Sequence, residues 1–145
     1  MRFSLDDLDA IKKEANVKTK TVSQMIGPDG ENIYKDILGH EDEINYCLYD
    51  LGMQVTGLQR HIICLTDLYP GKINGEYKMT TGHDHPQEEV YLFLTNGLFI
   101  LGKETYEVGP NQIISIPSGF WHRMINNGKE TFSALNIFET YGDRG

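Results

Sequence analysis

Hydrophobic and polar positions change rhythm twice along this chain. Between residues 4 and 15, Leu5, Leu8 and Ile11 fall three apart and make one apolar stripe, which predicts a short helix. Ser4 and Asp7 have the spacing of a capping box, and Phe3 and Leu8 stand where a hydrophobic staple would fix the chain's entry. This helix is expected on the outside of the body that follows, or on a partner subunit, away from any chemistry. Between Val22 and Leu38 the rhythm breaks at Gly27-Pro28-Asp29-Gly30, a turn signal that predicts a hairpin or loop.

From Ile44 onward, short runs rich in β-branched and aromatic residues recur between turn residues. They predict strands over 45–51, 60–69, 76–81, 88–95, 97–101, 104–108, 112–117, 121–126 and 131–139. The dividing turns include Pro70-Gly71, Asn74-Gly75, Asn96-Gly97, Gly109-Pro110-Asn111 and Asn127-Gly128. Many short strands at regular spacing imply an all-β fold, a sandwich or barrel. The expected organisation is a helix and hairpin over 1–44 packed on a barrel over 45–145. The run 88–95 is apolar on both faces, with Tyr91 and Phe93 on one and Val90, Leu92 and Leu94 on the other. Such a strand needs cover on both sides, from a second sheet or from another subunit.

Composition narrows the classes. A chain of 145 residues suits one domain that buries a core without disulfide or metal staples. The net charge of −8 argues against a nucleic-acid partner, which needs a basic patch. It does not argue against an anionic small-molecule substrate, because a pocket has its own local field. No apolar run reaches membrane-spanning length, and the acidic start lacks the apolar core of a signal peptide, so a cytoplasmic protein without membrane contact is expected. Cys47 and Cys64 sit in apolar strand-like runs and are expected as buried free thiols.

The candidate chemistry lies in two clusters. Gly82-His83-Asp84-His85-Pro86-Gln87 runs into Glu88-Glu89-Val90-Tyr91, and Ile116-Pro117-Ser118-Gly119-Phe120-Trp121-His122 follows. Residues two apart on an extended segment face the same way, so His83 and His85 are expected to point together. Glu89 opens the next strand on the face of Tyr91 and Phe93, and His122 reaches the same interior through the fold. Three imidazoles and one carboxylate suit one divalent transition metal per chain, Fe(II) first, with Mn(II), Ni(II) or Zn(II) as alternatives. His40 and His61 are read as ordinary hydrogen-bonded core or surface groups.

At these residues the chain resembles the cupin superfamily, and its jelly-roll barrel is the fold the resemblance implies. His83, His85, Glu89 and Gly97 follow the first cupin motif, although Tyr77 stands where a glycine usually precedes it. Gly109, Pro117, Gly119, His122 and Asn126 follow the second. Within the superfamily, Leu65-Thr66-Asp67-Leu68-Tyr69-Pro70-Gly71-Lys72, Thr80-Thr81-Gly82-His83-Asp84-His85, Glu89-Val90-Tyr91 and Trp121-His122-Arg123 resemble the archaeal-type cupin glucose-6-phosphate isomerases, over residues 22–138. The resemblance implies that His83, His85, Glu89 and His122 bind the metal, and that Thr66, Thr80, Gly82 and Tyr91 line a sugar-phosphate site. It also implies a homodimer. Short hydroxyls, a glycine N–H and a phenol can hold a phosphate without a basic residue.

The activity implied is an aldose–ketose isomerase interconverting glucose 6-phosphate and fructose 6-phosphate through a cis-enediolate. The metal polarises the carbonyl, and Glu89 is the expected base; Glu88 alternates to the other face. A hydride shift is a second route. Two departures bear on substrate: Phe138 stands where the family has a tyrosine, and after Tyr141 the chain stops at Gly145 without the family's histidine-bearing tail. A site phenol and a site histidine are therefore expected to be missing, unless Tyr141 substitutes for one. Two rival readings use the same residues: another cupin enzyme (a sugar isomerase or epimerase, or an Fe(II) dioxygenase) and a sugar-phosphate-binding module without turnover.

Overall fold

A computed structural model of the chain describes residues 5–56, 59–84 and 86–141. Its element order is helix α1 (Leu5–Glu14), β1 (Asn16–Thr21), a 3-10 turn (Val22–Gln24), β2 (Ile44–Thr56), β3 (Gln59–Leu68), β4 (Lys72–Ile73), β5 (Glu76–Tyr77), β6 (Glu89–Phe93), β7 (Gly97–Leu101), β8 (Glu104–Val108), β9 (Ile113–Ile116), β10 (His122–Ile125) and β11 (Phe132–Tyr141). One sheet has the order β1-β2-β3-β11-β6-β9 and the other β10-β7-β8, all pairs antiparallel; β4 and β5 form a separate ribbon closed by Asn74-Gly75. The all-β fold of antiparallel sheets expected from the sequence is the fold observed.

Strand alternation sorts the side chains. Along β6, Glu89, Tyr91 and Phe93 are buried while Val90 and Leu92 are half-buried on the opposite face. Tyr91 and Phe93 join Phe99 of β7, Val108 of β8, Ile116 of β9, Met124 of β10, Leu68 of β3, and Phe132 and Ala134 of β11 in one core between the two sheets. Phe93 stacks on Phe132 and meets Phe99 edge-on, with ring centroids 5.8 and 5.3 Å apart. Gly97 makes this packing feasible: a Cβ there would lie 2.4 Å from the Phe132 ring. The thiols of Cys47 and Cys64 are buried and free.

Helix α1 lies against the outer face of the larger sheet. Leu8 is buried, the Lys12 ammonium sits over the Tyr49 ring and reaches Asp67 Oδ2 at 2.8 Å, and the Ser133 hydroxyl donates to Asp67 Oδ1 at 2.6 Å. The proposed cap and staple residues Ser4 and Phe3 lie outside the described residues. Besides the short β4, which no predicted run covers, two strands differ from the expected pattern. Asn16–Thr21, Lys- and Thr-rich, pairs antiparallel with β2 as the sheet's edge, with a register shift between Lys20 and Thr21; its lysines hide it. The run 76–81 is ribbon only at Glu76–Tyr77; beyond it, residues 78–83 run alongside β10.

That stretch also attaches the N-terminal segment. Val22, Met25, Tyr34 and Ile73 form a second buried cluster, with Met79 and Tyr46 against it. The Tyr34 hydroxyl donates to Asn45 Oδ1, Asn45 Nδ2 donates to the Met79 carbonyl at 2.9 Å, and the Met79 N–H donates back to the Tyr34 oxygen at 2.9 Å. Each buried polar group thereby has a partner, as burial requires. Met79 is thus pinned four residues before His83.

Candidate metal centre

The two histidines are brought together by backbone pairing. Met79 pairs with Ile125 and His83 with His122, so the 78–83 stretch gains one residue relative to β10 between these bridges. The slip sets His83, rather than Gly82, opposite His122. His83 N–H donates to the His122 carbonyl at 3.2 Å, and His122 N–H to the His83 carbonyl at 2.9 Å. The imidazole centroids lie 4.4 Å apart, edge to face. Gly82 is packed under Trp121, where a Cβ would fall 1.7 Å from the indole Cζ2. The Arg123 guanidinium stacks over the same indole and donates from Nε to the Thr80 carbonyl at 2.8 Å.

Both imidazoles are held the same way. His83 Nδ1 lies 3.2 Å from the Thr81 carbonyl and His122 Nδ1 lies 3.0 Å from the Phe120 carbonyl, each two residues upstream. A carbonyl only accepts, so each Nδ1 carries the proton, and in the neutral ring each Nε2 presents its lone pair. This is how metal-ligating histidines are commonly oriented. Glu89 adds the anionic donor: its Oε1 lies 3.1 Å from His122 Nε2, with both residues almost fully buried. The donor atoms of His83, Glu89 and His122 all fall within 4.8 Å of one another. Nitrogen and oxygen donors with no thiolate among them suit Fe(II), Mn(II), Ni(II) or Zn(II). His85, the fourth ligand expected from the sequence, lies outside the described residues.

Beside this cluster the barrel holds a cavity of about 190 Å³. Its lining follows strand alternation: Tyr46 and Leu48 from β2, Cys64 and Thr66 from β3, Glu89 and Tyr91 from β6, Met124 from β10, Asn136 and Phe138 from β11, with Thr80, Thr81 and His83 from the connecting stretch. Thr66, Thr80 and Tyr91, expected at a substrate site, line it; Gly82 is not in this lining. Thr80 is also structural, since its Oγ1 accepts the Met124 N–H at 3.0 Å. Burial, with the Glu89 charge adding to it, pushes the Tyr91 phenol well above its ordinary range, so it stays a neutral donor. Burial likewise pushes the Cys64 thiol up to about 11, keeping it un-ionised. Asn136 also lines the cavity and is not among the expected site residues. The available signal was a lone amide inside the apolar run Ala134-Leu135-Asn136-Ile137-Phe138.

Fold and donor set together define a class. Residues 70–138 match the cupin domain family, and the barrel has the fold of solved cupin proteins. A cupin-2 domain protein from Rhodospirillum rubrum superposes with a TM-score of 0.56 at 18% identity, over 69% of this chain and 63% of that one. In sequence the chain is similar to the glucose-6-phosphate isomerase of Thermococcus litoralis, 28% identical over 92% of this chain and 75% of that protein. It is also similar to the glucose-6-phosphate isomerase of Pyrococcus horikoshii, 27% identical over 74% of this chain, and spans 61% of that protein's length. Among the described residues, no helix is long and apolar enough to cross a membrane.

Proposed function

We propose that this chain is a metal-dependent aldose–ketose isomerase acting on a phosphorylated hexose, with glucose 6-phosphate and fructose 6-phosphate as the pair. The observation that carries this reading is the carboxylate of Glu89, buried between His122 and a hydroxyl-lined cavity. The likeness to two isomerases of that name supports the substrate. His83, Glu89 and His122, with His85, would hold the metal, which supplies Lewis-acid polarisation of a substrate carbonyl.

The chain's own residues account for the rest. Glu89 takes the proton from C2 of the open-chain aldose and returns it to C1, while the C2 hydroxyl proton passes to the oxygen on C1; a cis-enediolate lies between. The neutral Tyr91 phenol donates a hydrogen bond to a substrate oxygen. The Thr66 and Thr80 hydroxyls face the same space. Burial excludes water from the carboxylate and strengthens its interactions. The outward side of β6, with Val90 and Leu92 half-buried and Ile113 beside Leu92 64% exposed, supports a homodimer. Light scattering at the mass of two chains would agree with that, and the mass of one would refute it.

A coupled assay converting fructose 6-phosphate to glucose 6-phosphate tests the activity, on protein stripped with chelator and reloaded separately with Fe(II), Mn(II), Ni(II) and Zn(II). Metal-dependent turnover is expected, with solvent deuterium entering product at the carbon that receives the proton. A metal-loaded protein with no turnover would refute the isomerase. One observation favours a second reading: Leu48, Cys64, Met124 and Phe138 give the cavity a carbon-rich wall, and no lysine or arginine is in its described lining. Such a wall suits a less charged substrate in another cupin enzyme, an Fe(II) oxygenase included. Substrate-dependent oxygen uptake by the iron-loaded protein would establish that alternative.

A further inference from the structure

Asn136 is buried in the middle of β11, and its side chain meets three residues already placed at the site. Its Oδ1 accepts the Thr66 hydroxyl at 3.1 Å, and its Nδ2 donates to Glu89 Oε2 at 3.3 Å. The Tyr91 hydroxyl, on the residue paired with Asn136 across β6 and β11, hydrogen-bonds the same side chain. Chemistry fixes which way the amide points. An ionised carboxylate only accepts, so the NH2 faces Glu89, and the carbonyl oxygen accepts from the Thr66 hydroxyl.

The consequence falls on Glu89. A carboxylate on a two-methylene stem can turn either oxygen toward its neighbours. Here Oε2 is held by Asn136 while Oε1 lies 3.1 Å from His122 Nε2. The amide is in turn held by Thr66, which sits on β3, on the far side of β11 from Glu89.

We propose that Asn136 is the positioning residue of the centre: anchored by Thr66, it holds Oε2 of Glu89 and thereby aims Oε1 at the point shared by His83 and His122. The inference rests on the metal-centre reading above. Asn136 touches no reacting atom and acts through Glu89. Residues that orient a metal ligand typically account for about 10- to 100-fold in affinity.

The test uses Co(II), whose visible absorption reports ligand geometry, titrated into chelator-stripped protein. Asn136→Leu keeps the volume and removes the hydrogen bonds. It is expected to weaken Co(II) binding about 10- to 100-fold and change the absorption band, with far-UV circular dichroism unaltered. Thr66→Val removes only the amide's anchor and should weaken binding less. Added to Asn136→Leu, it should weaken binding no further, since the chain is already broken. Unchanged affinity and band in Asn136→Leu, or fully additive effects, would overturn the proposal. Should Asn136→Leu fail to fold, an unchanged band in Thr66→Val overturns it.

A metal-free arm separates this inference from the metal reading. In stripped protein the Asn136 side-chain amide resonances are expected to move in both Thr66→Val and Glu89→Ala. Resonances that stay in place in both variants would overturn the chain of hydrogen bonds. Resonances that move while the parent protein binds no Co(II) would refute the metal reading, and the positioning role with it, but not the hydrogen bonds.

Discussion

The two ends of the barrel interior are built on the same strands and do opposite things. Along β6 the inward positions run Glu89, Tyr91, Phe93, from carboxylate to phenol to phenyl within one short strand. At the Phe93 end, Leu68, Phe93, Phe99, Phe132 and Ala134 are fully buried and wholly apolar. At the Glu89 end, Thr66, Glu89, His122 and Asn136 are also buried and joined in a polar network. Backbone pairing places both sets with the same precision; only the identity of the inward side chain differs. A buried polar network is costly unless its members are paired, and the apolar end supplies the burial that offsets that cost.

Two substitutions on one strand test this division most strongly. Glu89→Gln, nearly isosteric, is expected to lower turnover about 10²- to 10⁴-fold while shifting folding free energy less than a core truncation does. Phe93→Ala is expected to lose about 3–5 kcal/mol of stability, read from urea denaturation of the stripped protein. Equal destabilisation by the two would erase the distinction between the ends. Gly82→Ala comes next. Its Cβ collides with Trp121, so about 1–3 kcal/mol of overpacking is expected, with weakened metal binding because His83 is the next residue. A fully stable Gly82→Ala protein would show that Trp121 swings aside freely.

The smallest expected effect is a pH dependence with opposite signs in the metal-free and metal-bound protein. In the metal-free protein, burial opposes charging of His122, but the Glu89 carboxylate, the Phe120 carbonyl and Asp84 outweigh it and raise the imidazole above its ordinary 6.5. A raised folded value means the charged ring contributes stability that is complete below the unfolded value and lost as pH rises through the folded one. Metal binding needs the neutral ring, so affinity should climb over that same window, by up to about tenfold per pH unit for one released proton. Urea midpoints of stripped protein and chelator competition across neutral pH would read the two trends. Parallel trends would show that His122 is not a ligand.

Much of this was legible in the sequence. The strands at 97–101 and 104–108 were read with the bounds they have, because alternation and turn residues agree there. His83, Glu89 and His122 were picked from spacing and converge in space. β1 was not legible: an edge strand pairs on one side only, and Asn16–Thr21 shows no apolar alternation. Of Asn136, only a lone amide in an apolar run was legible. Its importance comes from cross-strand register, which sets it beside Tyr91 on one side and Cys64 on the other, and no local spacing encodes register between strands far apart in sequence. Phe138 was singled out as a departure, and it does line the cavity.

The central claim is a metal centre built by His83, Glu89 and His122. Equilibrium dialysis of stripped protein against Fe(II), Mn(II), Ni(II) and Zn(II), followed by elemental analysis, tests it directly. One ion per chain is expected in the parent protein, and loss of that ion in His122→Ala under conditions where the fold persists. No bound ion in the parent, or an undiminished ion in His122→Ala, would contradict it.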